Sequence, residues 1–269
     1  MLKNVTIGQF FPGNSFIHRL DPRTKILLTV ALIVCVFVSQ GFVGFAAVLA
    51  FVLAASRMTG IGLKFIVRGL KPILFIVALT FILNLFFQTG GTVLVHWGFI
   101  KITAEGLERA AFMAIRLILL VIGSQLLTLT TSPIALTDGL EALMNPLKKV
   151  KFPAHEIAMM MSIALRFIPT LMEEADKIMK AQQARGADFE SGNLVNRAKA
   201  MVPLLVPLFV SSFRRADELA MAMEARCYRG GEGRTRMKQL KFAAIDLQAA
   251  AVVALLFVVV IALNIFGVF

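Results

Sequence analysis

Cysteine, tryptophan and tyrosine are nearly missing from this sequence, with two, one and one among 269 residues. Cys35 lies inside an apolar run and Cys227 in a charged segment, environments too different for a disulfide or a thiolate metal site. The three histidines, His18, His96 and His155, are scattered and have no helix-spaced partner, which removes the usual zinc patterns. No Gly-x-x-x-x-Gly-Lys-Ser/Thr run occurs, so no phosphate-cradling loop is expected and ATP hydrolysis must belong to another chain. Paired carboxylates, a zinc motif and a Ser/His cluster are likewise lacking within the apolar runs, which argues against an intramembrane enzyme. No cofactor and no metal are expected.

Apolar residues dominate instead. They make up 58% of the chain, and the mean hydropathy is +0.80, well above the roughly 45–50% apolar content of soluble domains. They come in blocks: Ile26 to Val38, Gly41 to Ala55, Pro72 to Phe87, Ala110 to Thr131 and Ala243 to Phe269. A helix needs about 20 residues to cross a 30 Å hydrocarbon layer. The first two blocks are short, and one continuous helix through both would overshoot the layer by roughly half. A tight hairpin at Ser39-Gln40-Gly41 resolves this, and five crossings are expected. No cleavable leader is apparent, because the first apolar run carries no small-residue cleavage pattern.

The formal net charge of +12 would point to nucleic acid in a soluble protein, but here it reports topology. Lys3, Arg19, Arg23 and Lys25 precede the first block, and Arg57, Lys64, Arg68 and Lys71 follow the second. The segment 132–242 carries 17 Lys plus Arg, so 25 of the 28 positive charges fall on one side under the five-span reading. That side is the cytoplasm, with the N-terminus inside and the C-terminus outside. No nucleic-acid partner is expected. Arg116 lies within a block without a nearby acid, and snorkelling or an interhelical hydrogen bond fits it better than a substrate relay. Asp246 is read as interfacial.

Three regions follow: a membrane region over 1–131, a coupling region over 132–242, and a final transmembrane helix over 243–269. The middle region has 17 basic and 12 acidic residues with apolar positions distributed among them, the pattern of helices and not of a disordered tail. Ile157, Met160, Met161, Ala164, Ile168, Leu171, Met172, Ala175, Ile178 and Met179 paint one helical face. Pro169 is expected to kink or split this helix, and Gly186 to stop it. A second helix is expected from about Ala198 to Arg226, starting late or kinked because of Pro203 and Pro207.

The two helices resemble each other at an offset of 41 residues. Ala175-Asp176 matches Ala216-Asp217, Ala181 matches Ala222, and Ala184-Arg185 matches Ala225-Arg226. Each helix thus ends in an arginine preceded by alanine and followed by a small residue, Gly186 or Cys227. Small neighbours allow close approach to another protein, and a guanidinium offers five donors to carboxylates or carbonyls. Stabilisation of the last helical turn by a cation is the plain alternative for either pair alone. Its duplication favours a functional reading.

Leu20-Asp21-Pro22-Arg23-Thr24-Lys25, Ala164-Leu165-Arg166-Phe167-Ile168-Pro169, Ala184-Arg185-Gly186 and Ala225-Arg226-Cys227 together resemble the transmembrane component of energy-coupling factor transporters, EcfT, related to the cobalt-transport CbiQ proteins. The resemblance covers nearly the whole chain. It implies an all-α, polytopic protein of a bacterial inner membrane, with about five spans and a cytoplasmic coupling insert between the last two. It further implies that Arg185 and Arg226 dock into grooves on two ATP-hydrolysing subunits, within the sites Ala184-Arg185-Gly186 and Ala225-Arg226-Cys227. Another surface, with Met160, Met161, Ile168, Leu204 and Leu208 as candidates, would hold a membrane subunit that binds a vitamin or metal ion. Cys227 departs from the glycine of that motif, so helix termination there is expected to differ. A self-contained permease is the rival reading, but it would concentrate polar groups or interrupted paired repeats at mid-membrane.

Overall fold

The computed structural model describes residues 10–266 apart from 88–89, 91, 98–99, 190–192 and 232–238. In chain order the helices are α1 (Phe16–Arg19), α2 (Pro22–Val38), α3 (Gly41–Met58), α4 (Leu63–Leu70), α5 (Leu74–Phe87), α6 (Ala104–Thr130), α7 (Pro133–Met144), α8 (Ala154–Ala184), α9 (Leu194–Ala225) and α10 (Ala244–Ile265). Two short antiparallel strands, β1 (Val93–Trp97) and β2 (Ile100–Thr103), lie between α5 and α6. The fold is the expected helical one, with this short hairpin its single addition among the described residues. Contacts divide the chain into two compact units, one formed by 8–142 with 239–269 and the other by 143–238.

In the first unit α6 is the central element, packing against α2, α3, α4 and α5, while α10 packs on α2 and α3. Val36, Val48, Val52, Leu119, Leu129 and Val260 are almost fully buried where these helices meet. The outward faces are apolar as well: Leu27, Val34 and Phe37 on α2, Phe75, Leu79 and Ile82 on α5, and Leu247, Leu255 and Val258 on α10 are all exposed. Patches this extensive do not persist in water, whereas hydrocarbon is their natural surrounding.

Among the described residues three helices are long and apolar enough to cross a membrane: Gly41–Met58, Ala104–Thr130 and Ala244–Ile265. A fourth crossing arises if α4 and α5, bent by 59° at their junction, act as one broken span. The bend sits at Lys71-Pro72-Ile73, where proline cannot donate to the helix ladder. The basic stretch after the second apolar block, expected as a loop, thus contains a helix. At 17 residues α2 is about 25 Å long, a little under the hydrocarbon thickness. It begins four residues before the apolar run because Asp21 caps it and Pro22 occupies the first turn. The break between α2 and α3 falls at Ser39-Gln40, as the sequence led one to expect.

Polar residues at the two ends of this unit fasten the helices. The Asp246 carboxylate accepts hydrogen bonds from the amides of Asp21 and Ala243, each at 2.8 Å, joining the starts of α2 and α10. Asp246 is only 4% exposed, so it is a buried staple and not merely interfacial. The Lys25 ammonium donates to the carbonyls of His18 (3.1 Å) and Thr130 (2.8 Å), and the Arg23 guanidinium donates to the Leu240 carbonyl and lies over Phe242. The Leu20 to Lys25 motif is therefore the knot tying α2, the end of α6 and the approach to α10. At the opposite end Asn264 donates to the Val38 carbonyl and accepts from the Gln40 amide. Arg116 donates to the Ser39 carbonyl at 3.3 Å and sits 5.4 Å from the Phe45 ring, an interhelical role for this charge.

Candidate functional site

Both long helices of the second unit run unbroken through their prolines. α8 continues past Pro169, and α9 starts at Leu194, ahead of the expected late start, and contains Pro203 and Pro207. Pro207 removes the donor that would serve the Pro203 carbonyl one turn earlier. Gln182 of α8 points its amide at that carbonyl, 3.4 Å away, so the break in one ladder becomes a contact between helices.

This contact, the Glu174 to Ser211 hydrogen bond and the Tyr228 to His155 contact at 3.3 Å place rising α8 numbers against falling α9 numbers. The helices are therefore antiparallel. Glu174 accepts from Ser211 and pairs with Arg215 at 2.9 Å. The Ser211 hydrogen bond foremost, helped by the charge and hydrogen bond of Arg215, holds its carboxyl below the usual range against the opposing effect of desolvation. Glu174 and Arg215 are also 41 residues apart, the offset of the internal repeat. Equivalent positions of an antiparallel repeat meet only at its local two-fold centre, so this ion pair marks that centre.

From Glu174 to Arg185, and from Arg215 to Arg226, the chain advances 11 residues. At about 1.5 Å per residue each arm is about 16 Å, placing the two arginines at opposite ends roughly 33 Å apart along the pair.

The helix ends match in detail. At the end of α8 the Ala187 amide donates to the Gln182 carbonyl and the Gly186 amide to the Gln183 carbonyl, both at 2.9 Å. At the end of α9 the Tyr228 amide donates to the Met223 carbonyl (3.0 Å) and the Cys227 amide to the Glu224 carbonyl (2.8 Å). Both are Schellman caps, with the left-handed position taken by Gly186 (φ +89°) and Cys227 (φ +54°). The expectation that Cys227 would alter termination is thus corrected: the backbone is the same, and cysteine bears a conformation that disfavours a side chain. Arg185 and Arg226 themselves have nearly identical backbone angles, φ −87°, ψ 6° and φ −93°, ψ 13°.

Ala184, Arg185, Gly186, Ala225, Arg226 and Cys227 are all exposed. Among the described residues neither guanidinium has a hydrogen-bond or ion-pair partner. Of the five apolar candidates, Met160 and Met161 are exposed, whereas Ile168, Leu204 and Leu208 are half-buried. Leu204 and Leu208 share the α9 face that carries Ser211 and Arg215 toward α8. The opposite face displays Val202, Val206, Phe209 and Phe213, all more than half exposed, at spacings of four, three and four residues. Apolar periodicity alone does not say which α9 face turns outward, so in sequence the run Leu204 to Phe213 reads equally as packing within the insert and as a surface for an apolar partner.

The sequence model of the CbiQ family, described as a cobalt transport protein, matches residues 13–237. A protein of Thermosediminibacter oceani described as energy-coupling factor transporter transmembrane protein EcfT is 61% identical over 255 residues, covering 95% of this chain and 96% of its own. Proteins with the same description from Clostridium kluyveri and Bacillus subtilis are 59% and 52% identical, covering 93% and 91% of this chain and 93% of their own in both cases. The chain belongs to the CbiQ family, among the transmembrane proteins of energy-coupling factor transporters.

Proposed function

We propose that this chain is the coupling scaffold of an ATP-driven importer in a bacterial inner membrane. Arg185 and Arg226 dock onto two ATP-binding ABC-type ATPase subunits, one at each end of the α8–α9 pair. The chain carries the motion of those subunits to a substrate-binding membrane subunit that takes up a vitamin or metal ion. It crosses the membrane five times, with α2 and the bent α4–α5 pair each counted as one crossing and the N-terminus in the cytoplasm. The coupling region spans 132–242 and lies on the cytoplasmic side.

The observation that carries this reading is the pair of exposed arginines on identical Schellman-capped ends, related by a local two-fold through Glu174 and Arg215. Two ATPase subunits of like shape that pair about a two-fold, or a pseudo-two-fold, call for two equivalent handles facing opposite ways. A cation added only to stabilise a helix end would not need matched caps and equal arms. The exposed Met160 and Met161 of α8 and Val202, Val206, Phe209 and Phe213 of α9 are assigned to the substrate-binding subunit, with the half-buried Ile168, Leu204 and Leu208 supporting that surface from within the helix pair. Coupling then requires rigid helices with distinct contacts in two states.

Purification of the tagged protein from its native membrane, as wild type and as the Arg185→Ala plus Arg226→Ala double variant, tests the assignment. The ATPase subunits should copurify with wild type and be lost from the variant. Equal recovery with both would remove the docking role.

A further inference from the structure

A groove of about 490 Å³ opens in the first unit between the bent α4–α5 pair and α6, a volume in the range that takes a small amphiphile. It is graded along its length. Arg68, Gln125 and Thr128 line one end, and Ile73, Leu120 and Val121 the other. The Gln125 side chain lies tight against Gly69, where any Cβ would collide with its amide, and its Oε1 is buried without a donor. A buried acceptor left unpaired is costly, and because Gln125 itself lines the groove, a turn of its amide about the last side-chain torsion brings Oε1 to a ligand O–H or N–H there, gains that hydrogen bond and relieves the cost.

The charge beside this end is of one sign. Lys64 and Arg68 lie four residues apart on α4 and Lys71 caps its C-terminal end, with Arg57 in the last turn of α3 before it. Between Asp21 and Glu105 the sequence holds no carboxylate side chain. Among the described residues none of these four cations has a hydrogen-bond or ion-pair partner. Arg68 differs from the others in lining the groove. A short basic helix with its opposite face buried through Ile66, followed by a kink into an apolar helix, is the arrangement of an interfacial segment.

We propose that this groove binds one anionic glycerophospholipid whose headgroup carries a hydroxyl, of the phosphatidylglycerol kind. The phosphate lies on Arg68, a headgroup hydroxyl donates to Gln125 Oε1, and the start of an acyl chain follows Ile73, Leu120 and Val121. General attraction of basic residues to an anionic leaflet would involve Arg57, Lys64 and Lys71 equally and would have no use for Gln125. The site is separate from the arginine handles, so it stands or falls independently of them.

The test uses the full-length protein, delipidated in neutral detergent, with lipid binding followed by native mass spectrometry. Dioleoylphosphatidylglycerol, dioleoylphosphatidylcholine and soluble glycerol 3-phosphate are compared. Wild type should prefer phosphatidylglycerol over phosphatidylcholine by about fivefold or more, the worth of one such contact. Arg68→Gln should abolish that preference and Arg68→Lys retain most of it. Gln125→Leu should reduce it while leaving phosphatidylcholine binding intact, which also verifies folding. Arg57→Gln should leave it unchanged. The proposal is overturned if Arg68→Gln binds like wild type, if Arg57→Gln costs as much as Arg68→Gln, or if glycerol 3-phosphate displaces the lipid.

Discussion

The two helix ends predict opposite responses to exchanging their left-handed residues. Cys227 holds φ +54° and Gly186 φ +89° within the same pair of cap hydrogen bonds. A non-glycine residue in this region loses about 1–2 kcal/mol to the clash of its Cβ with the following carbonyl. Glycine gives back about 0.4–1 kcal/mol through the greater freedom of the unfolded chain. Cys227→Gly should therefore stabilise its cap by about 1 kcal/mol net, and Gly186→Ala should weaken its cap by about the same. At position 186 a Cβ would meet no atom within 4 Å, so the cost is one of backbone conformation and not of packing. Hydrogen exchange at the cap amides reads this directly. Tyr228 protection should rise roughly fivefold in Cys227→Gly, and Ala187 protection should fall roughly fivefold in Gly186→Ala. Faster exchange at Tyr228 in Cys227→Gly, or no change at either end, would refute the equivalence of the two caps.

Three further outcomes follow from other contacts. Asp246→Ala strands the buried amide of Asp21 and uncaps the start of α10 at Ala243, and should cost about 1–3 kcal/mol, seen as a loss of thermal stability in detergent. Arg116→Met should shift thermal stability little and leave uptake by the assembled transporter intact, because a hydrophobic side chain of similar size can replace a structural charge; lost uptake would restore a relay role. The carboxyl of Glu174 is depressed by Ser211 and Arg215, so its contribution to α8–α9 pairing is present above the ordinary glutamate range near pH 4.3 and fades as pH falls through its lower folded value. A fluorescence pair across the two helices should show separation on acidification below about pH 4, and Glu174→Gln should remove that pH dependence.

The two helix ends at Arg185 and Arg226 were legible because a 41-residue offset is a property of the sequence itself, and alanine, arginine and a small residue are adequate signals for a helix end. The hairpin break at Ser39-Gln40 was legible for a similar local reason, two apolar blocks too long to be one span. Other features depend on partners distant in the chain. Asp246 looks like an interfacial carboxylate until Asp21, 225 residues away, brings an amide to it. Pro203 and Pro207 imply a late or kinked helix until Gln182 is seen to meet the carbonyl that Pro207 leaves free. Cys227 read as a departure from the glycine of the motif, because φ at that residue is imposed by cap hydrogen bonds and not encoded by its type. The antiparallel centre at Glu174 and Arg215 carries the same offset of 41, yet nothing in a repeat says whether its copies pack in parallel or head to tail.

The exposed thiol of Cys227 beside Arg226 offers the most direct measurement, since Cys35, the other cysteine, is fully buried. Maleimide labelling of Cys227 should be rapid in the isolated chain and fall toward the rate of buried Cys35 once the ATPase subunits are bound. Arg226→Ala should restore rapid labelling in the same mixture. A labelling rate unaffected by the ATPase subunits would contradict the claim that this helix end is a handle for them.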